Sequence, residues 1–233
     1  DLLLRHKDTG QFWLYLLDGN SILEQGSPFK LDTSWQLQPQ GDYSGDGNDD
    51  ILLRQQSTGI YWLYQLNGTS VTSNGKLTNT ATSWSTVWPI TVPAAAAPTT
   101  ATEDDHNGDG NADILLKNQD TQLLYLYQMD GKQIIASGTI ARLTADWTLQ
   151  GRADFDGDSK VDLLLRHNTT GQLWLYRMDG RTIIESRSLS PLSPLWDIAQ
   201  IADYTGDGKA DLLLKNADGI LWMYSFNGTS LSL

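Results

Sequence analysis

No cysteine occurs in the 233 residues, so disulfide staples, thiolate metal sites and thiol nucleophiles are excluded. No apolar run approaches the roughly 18 to 20 residues that cross a bilayer as a helix. No basic-then-apolar leader opens the chain either, and the expectation is a soluble protein whose export signal has been removed. Basic residues are scarce: 16 Lys and Arg face 28 Asp and Glu, a formal charge of -12. Nucleic acid and anionic membrane both need a basic surface, so neither is expected as a partner.

What is present explains the acidity. Nine Trp, nine Tyr and several Leu-rich runs are too much apolar material for a disordered acidic chain, so the carboxylates must be clustered for a reason. The chain is one unit written five times. Asp1-Leu2-Leu3-Leu4-Arg5 recurs from Asp50, Asp113, Asp162 and Asp211, at spacings of 49, 63, 49 and 49 residues. An aromatic strand follows each (Trp13, Trp62, Tyr125, Trp174, Trp222), then an Asx-Gly turn such as Asp18-Gly19 or Asn67-Gly68, the strongest two-residue hairpin signal. A β-branched stretch comes next, and a further Trp stands at 35, 84, 147 and 196.

Each repeat thus supplies four short strands without a sustained helical period. Four strands per 40 to 50 residues predict an all-β β-propeller of four-stranded antiparallel blades, about five in this chain with one incomplete. The continuous Leu runs fit strands covered by a blade on each face. A β-solenoid is the main rival, though its repeats are usually shorter. The repeats run approximately 1-34, 35-83, 84-146, 147-195 and 196-233, and the first lacks an inner strand. The chain is either a five-bladed ring with one thin blade or part of a larger multidomain protein.

Before four of the five Leu-rich strands lies the same nine-residue loop. Oxygen-bearing side chains fall at its first, third, fifth and ninth places: Asp42, Ser44, Asp46 and Asp50; Asp105, Asn107, Asp109 and Asp113; Asp154, Asp156, Asp158 and Asp162; Asp203, Thr205, Asp207 and Asp211. Alternate spacing aims such groups at one point when the backbone curls, and glycines at the fourth and sixth places permit the curl. Hard oxygen ligands without His or Cys suit Ca2+, whereas Mg2+ prefers fewer protein ligands and stricter octahedral geometry. The seventh residue (Asn48, Asn111, Lys160, Lys209) varies even to a cation, so its backbone carbonyl is the expected ligand and its side chain is expected to point outward. Four bound ions would take the formal charge from -12 to -4 and act as structural cofactors.

The D-x-[DNST]-G-D-[GS]-x-x-D loop followed by a Leu-rich strand resembles the FG-GAP/VCBS repeat, and the likeness covers essentially the whole chain. The resemblance implies a calcium-binding propeller of the integrin-α-like kind, nearer its bacterial VCBS branch, whose loops join the first two strands of each blade and bind Ca2+ on one rim. Ser159 departs from glycine at the sixth place, and Ser44 and Thr205 from carboxylate or amide at the third, so weaker sites are expected there.

Other features have plainer readings. The repeat-locked tryptophans are expected to pack blades rather than stack sugars. Trp88 is the exception, lying in an extra fourteen residues that break the register, and is a candidate ligand-binding residue. The base that ends each Leu-rich strand (Arg5, Arg54, Lys117, Arg166, Lys215) is expected to pair with a neighbouring carboxylate, and His6 and His167 to serve as polar strand-end residues. No unrepeated acid, base or nucleophile pair stands out. The expectation is therefore a non-enzymatic, secreted or cell-surface binding and adhesion module for protein or glycan partners. A lectin-like or accessory domain of a polysaccharide-degrading enzyme is the first alternative, and a calcium-dependent polysaccharide lyase the second.

Overall fold

The computed structural model describes residues 1–87 and 104–228, with the backbone of 231–232. Trp88 and the stretch inserted around it lie outside the described residues. Nineteen strands form five antiparallel sheets, and no helix occurs among the described residues. The first sheet holds three strands, β1 (Leu2–Arg5), β2 (Phe12–Asp18) and β3 (Ser21–Gly26). The second holds β4 (Trp35–Leu37), β5 (Ile51–Gln55), β6 (Ile60–Asn67) and β7 (Ser70–Asn79). The third comprises β8 (Trp84–Thr86), β9 (Ile114–Asn118), β10 (Leu123–Asp130) and β11 (Gln133–Arg142). The fourth comprises β12 (Trp147–Ala153), β13 (Asp162–His167), β14 (Leu173–Asp179) and β15 (Thr182–Ser188). The fifth comprises β16 (Trp196–Ala202), β17 (Asp211–Asn216), β18 (Leu221–Phe226) and β19 (Leu231–Ser232). Strand order follows chain order within every sheet, as in the blades of a β-propeller.

Inside each four-stranded blade the Trp strand comes first, the Leu strand second, the aromatic strand third and the hairpin's return strand last. Hairpin register follows from the Asx-Gly turns: Gly68, Gly131 and Gly180 sit at φ near +60°, which the tight turn requires. The repeat-locked tryptophans pack within blades, with Trp35 edge-on to Trp62, Trp84 to Tyr125 and Trp147 to Trp174 at 5.7 to 6.3 Å.

The core is divided among four seams between successive blades. At the seam of blades one and two, Phe12 and Leu14 meet Ile51, Leu53 and Leu66; at that of blades four and five, Leu164, Leu173 and Leu175 meet Leu212, Leu214 and Phe226. Blades two to four are covered on both faces, which is why β5, β9 and β13 bury their consecutive leucines. The end blades differ. Blade one exposes Leu2 and Leu4, whose counterparts Ile51 and Leu53 are buried, and blade five exposes Leu221 and Met223, whose counterparts Leu173 and Leu175 are buried. Each end blade therefore presents one uncovered seam face.

Burial at a seam should decide mutational cost. Leu175→Ala on β14 is expected to destabilise by about 2 to 5 kcal/mol, whereas Met223→Ala, at the matching place on the open face, should stay within about 0.5 kcal/mol. Urea unfolding of the two variants checks this, and equal losses would mean that the face of blade five is covered.

Candidate metal centre

Each acidic loop connects the first strand of a blade to its Leu-rich strand: 42–50 links β4 to β5, 105–113 links β8 to β9, 154–162 links β12 to β13, and 203–211 links β16 to β17. Equal placement in every blade puts the four loops on one rim, and backbone bonds tie neighbours together. The eighth-place N–H donates to the first-place carbonyl of the preceding loop: Ala112 to Asp42, Val161 to Asp105 and Ala210 to Asp154, at 2.7 to 2.9 Å. The Asx-Gly turn adds a second tie, with Gly131 N–H donating to the Tyr43 carbonyl and Gly180 N–H to that of His106.

The first-place carboxylate organises its own loop. Asp154 Oδ1 accepts from the N–H of Gly157 and its Oδ2 from that of Ser159, both at 2.7 Å, and Asp203 does the same with Gly206 and Gly208. This curl needs positive φ at the fourth and sixth places. Gly45 and Gly47 supply it in blade two, and Ser159 adopts φ 67° where the other loops have glycine. Fifth-place carboxylates accept the seventh-place N–H in each loop, from Asn48, Asn111, Lys160 and Lys209.

The ninth-place aspartates do something the spacing did not reveal. Asp50, Asp113, Asp162 and Asp211 are buried, and each Oδ1 accepts an N–H from the end of the aromatic strand: Leu66, Met129, Met178 and Phe226, at 2.8 to 3.0 Å. In blades two to four that residue follows a β-bulge, which leaves its N–H without a ladder partner. Asp113, Asp162 and Asp211 also accept the second-place N–H through Oδ2. Asp1 accepts the Leu17 N–H in the same way in blade one.

Electrostatics separate these carboxyls. Burial pushes Asp50 and Asp162 up to about 7 and Asp113 up to about 8, opposed by their backbone hydrogen bonds and reinforced by neighbouring loop carboxylates. At Asp203 burial also pushes upward, but four backbone N–H bonds outweigh it and hold the carboxyl below its ordinary value. In the fourth blade, ligand atoms of Asp154, Asp156 and Asp162 lie within 4.8 Å of one another, the one such trio among the described residues.

Two observations bear on whether the donor set fits a divalent cation. Asp50 Oδ2 is buried with no hydrogen-bond partner, at the ninth place of the loop carrying Asp42 and Asp46. Asp156 holds the guanidinium of Arg177, a positive group standing beside the third place, and Arg177 in turn reaches Glu185 at 2.8 Å. By their mutual spacing Asp154, Asp156 and Asp162 could hold a metal with oxygen ligands alone.

Several expectations change. The seventh-place side chains do not simply point outward: Asn48 and Asn111 turn onto the fifth-place carboxylates Asp46 and Asp109, Lys160 bonds Asp179 at 2.7 Å, and Lys209 reaches Asp207. Adjacent anions attract these polar and cationic ends. Nor do Arg5 and Arg166 chiefly seek carboxylates: Arg5 donates to the Asp32 and Trp35 carbonyls, and Arg166 to those of Ser193 and Trp196, fastening blade one to two and blade four to five. Arg166 does stand 4.0 Å from the exposed Asp197. His6 and His167 accept backbone N–H groups through Nδ1 in their strand-end turns, in keeping with a polar structural role.

The second loop place was overlooked, though Tyr, His, Phe and Tyr there are a readable signal. Tyr43, His106 and Phe155 are buried in seams: Tyr43 packs with Ala112 and Met129, Phe155 meets Phe226 edge-on at 5.8 Å, and His106 contacts the Val161 carbonyl through Nδ1. Tyr204, on the open face of blade five, is 36% exposed.

Strands and loops together define a β-propeller of tandem acidic-loop blades. Residues 154–214 match the FG-GAP-like repeat, and the five blades of one build fit an FG-GAP repeat propeller. No curated protein sequence matches the chain. Among solved structures, a post-proline cleaving enzyme from Rickettsia typhi is similar over 96% of this chain, with a TM-score of 0.54 and 10% identity. The chain spans 32% of the length of that structure, and at this identity the likeness is one of fold.

The clamp makes a metal-independent prediction. In chelator, Asp113→Ala should lose about 1 to 3 kcal/mol through orphaned N–H groups, and Asp109→Ala about 0.5 kcal/mol or less, as read by urea unfolding. A pH dependence follows as well. Asp50, Asp113 and Asp162 have raised folded values, so their contribution is full below the ordinary value of 3.8 and is lost as pH rises through about 7 to 8. The melting temperature of the chelated protein should accordingly fall between about pH 5 and pH 8, and a rise over that window would refute the assignment.

Proposed function

We propose that this protein is an extracellular, calcium-stabilised propeller that serves as a binding and adhesion module for protein or glycan partners. The observation that carries the reading is the convergence of Asp154, Asp156 and Asp162 in one of four equivalent loops tied side by side along a rim. The first-, third-, fifth- and ninth-place side chains are the proposed ligands in every loop, with the seventh-place carbonyls of Asn48, Asn111, Lys160 and Lys209. Bound Ca2+ would supply positive charge to buried and crowded carboxylates and so add its binding energy to folding. Neighbouring loops share backbone bonds, so ordering one supports the next.

A binding role needs a rigid frame with surfaces left for partners. The acidic rim is committed to holding blades in place, and the opposite rim and the inserted stretch with Trp88 are left for recognition. Likeness of fold to a peptidase carries no catalytic residue to this chain. The tethered guanidinium sets the loops apart, since Gln65 and Gln128 occupy the places in blades two and three that Arg177 occupies in blade four.

Thermal melts with Ca2+ and with EGTA test the proposal. Saturation at a hundredfold over Kd adds about 2.7 kcal/mol for a single site, so a clear rise in melting temperature with Ca2+ is expected, and calorimetric titration should count about four ions. An identical melt in both buffers would sink it. Arg177→Gln removes a cation that competes for Asp156, so affinity at one site should tighten by about tenfold, the factor for 1.4 kcal/mol.

A further inference from the structure

A cavity of about 260 Å³ opens in the seam between blades three and four. Arg142, Leu143 and Thr144, at the end of β11 and just beyond it, form one side, and Trp147, Leu165, Trp174 and Tyr176 of blade four form the other. Trp147 opens β12 and Trp174 is second on β14, so the cavity stands at the strand ends away from the acidic loop 154–162.

The chain contains its own example of what such a space holds. In the seam of blades one and two, Phe29 stacks its ring on Tyr64, with centroids 3.9 Å apart and planes 17° off parallel, and meets Phe12 at 4.7 Å. Backbone bonds fix the correspondence between seams. Leu31 N–H donates to the Gly10 carbonyl in blade one and Leu143 N–H to that of Gln122 in blade three, so Ala141 stands where Phe29 stands. Tyr176 pairs across the strands with Leu163 as Tyr64 does with Ile51, so the two tyrosines are equivalent. The phenyl ring that blade one supplies to its seam is therefore a methyl group in blade three. Tyr15, Tyr64 and Tyr127 each meet another ring; Tyr176 and Tyr224 meet none among the described residues, and Tyr176 faces the cavity instead.

Polar groups around the cavity narrow the choice of ligand. Trp174 spends its indole N–H on Ser186 Oγ at 2.8 Å and stands edge-on to Trp147 at 6.0 Å, so the two serve as aromatic walls. Arg142 is exposed, and its guanidinium makes no hydrogen bond or ion pair among the described residues. No carboxylate lines the space among those residues. A cavity of about 150 Å³ already accepts a benzene ring, so this one has room for a phenyl side chain, and the unspent guanidinium at its edge favours an acidic group beside that ring.

We infer that the pocket takes a phenyl ring from a protein partner, stacked on Tyr176 as Phe29 is on Tyr64, with an acidic residue next to that ring paired with Arg142. This partner class deepens the proposed binding role and rests on it, while the calcium reading can fail without it, because the pocket lies at the other rim.

Titration of the whole isotope-labelled chain in Ca2+ buffer tests this, with the indole N–H signals of Trp147 and Trp174 as the readout. Acetyl-Asp-Phe-amide should shift them saturably. Acetyl-Asp-Leu-amide should bind about threefold more weakly for want of the ring, and acetyl-Asn-Phe-amide about threefold more weakly for want of the charge. Ala141→Phe should fill the pocket from within, as Phe29 does, abolishing the shift without lowering the melting temperature. Arg142→Glu, on an exposed side chain, should reverse the charge preference, so that acetyl-Asn-Phe-amide binds more tightly than acetyl-Asp-Phe-amide. Absence of a saturable shift with acetyl-Asp-Phe-amide overturns the inference, as do equal binding of either control peptide and an unaltered titration of folded Ala141→Phe. Tighter binding of methyl glucoside at the same signals overturns it in favour of a glycan.

Discussion

Near the end of the aromatic strand in blades one to four a β-bulge turns one backbone N–H away from its ladder, and an aspartate at the start of the Leu-rich strand takes it up. The bond recurs as Asp1 to Leu17, Asp50 to Leu66, Asp113 to Met129, Asp162 to Met178 and Asp211 to Phe226. An N–H left bare in that position would cost about 1 to 3 kcal/mol, so the aspartate is fixed by the backbone before any ligand is considered. Its placement has further consequences. In blades three and four the carboxyl is drawn into the seam, burial raises its proton affinity, and the loop that precedes it curls tightly enough to bring its own N–H onto Oδ2. The acidic loop is thus built around a group that the bulge already requires.

From that loop the blades are fastened in one direction only. First- and second-place carbonyls accept from the following blade, second-place aromatics plug the following seam, and Arg5 and Arg166 reach the following inner strand. Every fastening joins nearest neighbours, so stability is distributed as in other repeat arrays, as a sum of blades and seams. The two end faces are where this rule leaves apolar groups in solvent. Leu2 and Leu4 on one side, and Leu221 and Met223 on the other, are halves of a seam whose complete form is seen four times within the chain.

Much of this architecture was legible in the sequence because each signal was local and repeated. Leucine runs after an aspartate mark strands covered on both faces, Asn67-Gly68 and its equivalents mark the hairpins, and Trp35, Trp84, Trp147 and Trp196 open the four-stranded blades. What spacing could not distinguish was which partner a polar residue would take. A ninth-place aspartate looks the same whether it serves a metal or a bulge, because both need an acceptor at the start of the Leu-rich strand. Arg5 and Arg54 occupy the same place in their repeats, yet Arg5 donates to carbonyls of the next blade while the Arg54 guanidinium rests against the Tyr61 ring. Second-place Tyr43, His106 and Phe155 vary in chemistry and share only bulk, so a search for oxygen ligands passes over them.

The loops combine two kinds of carboxylate, and their division of labour bears on how a cation would enter. First-place aspartates accept backbone N–H groups of their own loops; burial pushes Asp154 up despite them, whereas at Asp203 they outweigh burial and hold the carboxyl below its ordinary value. Burial pushes the ninth-place Asp50, Asp113 and Asp162 up, so they carry protons over part of the neutral range when nothing positive is near. Filling such a loop is consequently an exchange: a divalent ion at the first place favours the charged form of the ninth and drives its proton out. In the fourth blade a second exchange is superimposed, because Asp156 already has Arg177 and must release it, while Glu185 remains beside the guanidinium to receive it. The loop richest in acid is therefore also the one with a cation of its own, and ligand count alone would rank its affinity too high.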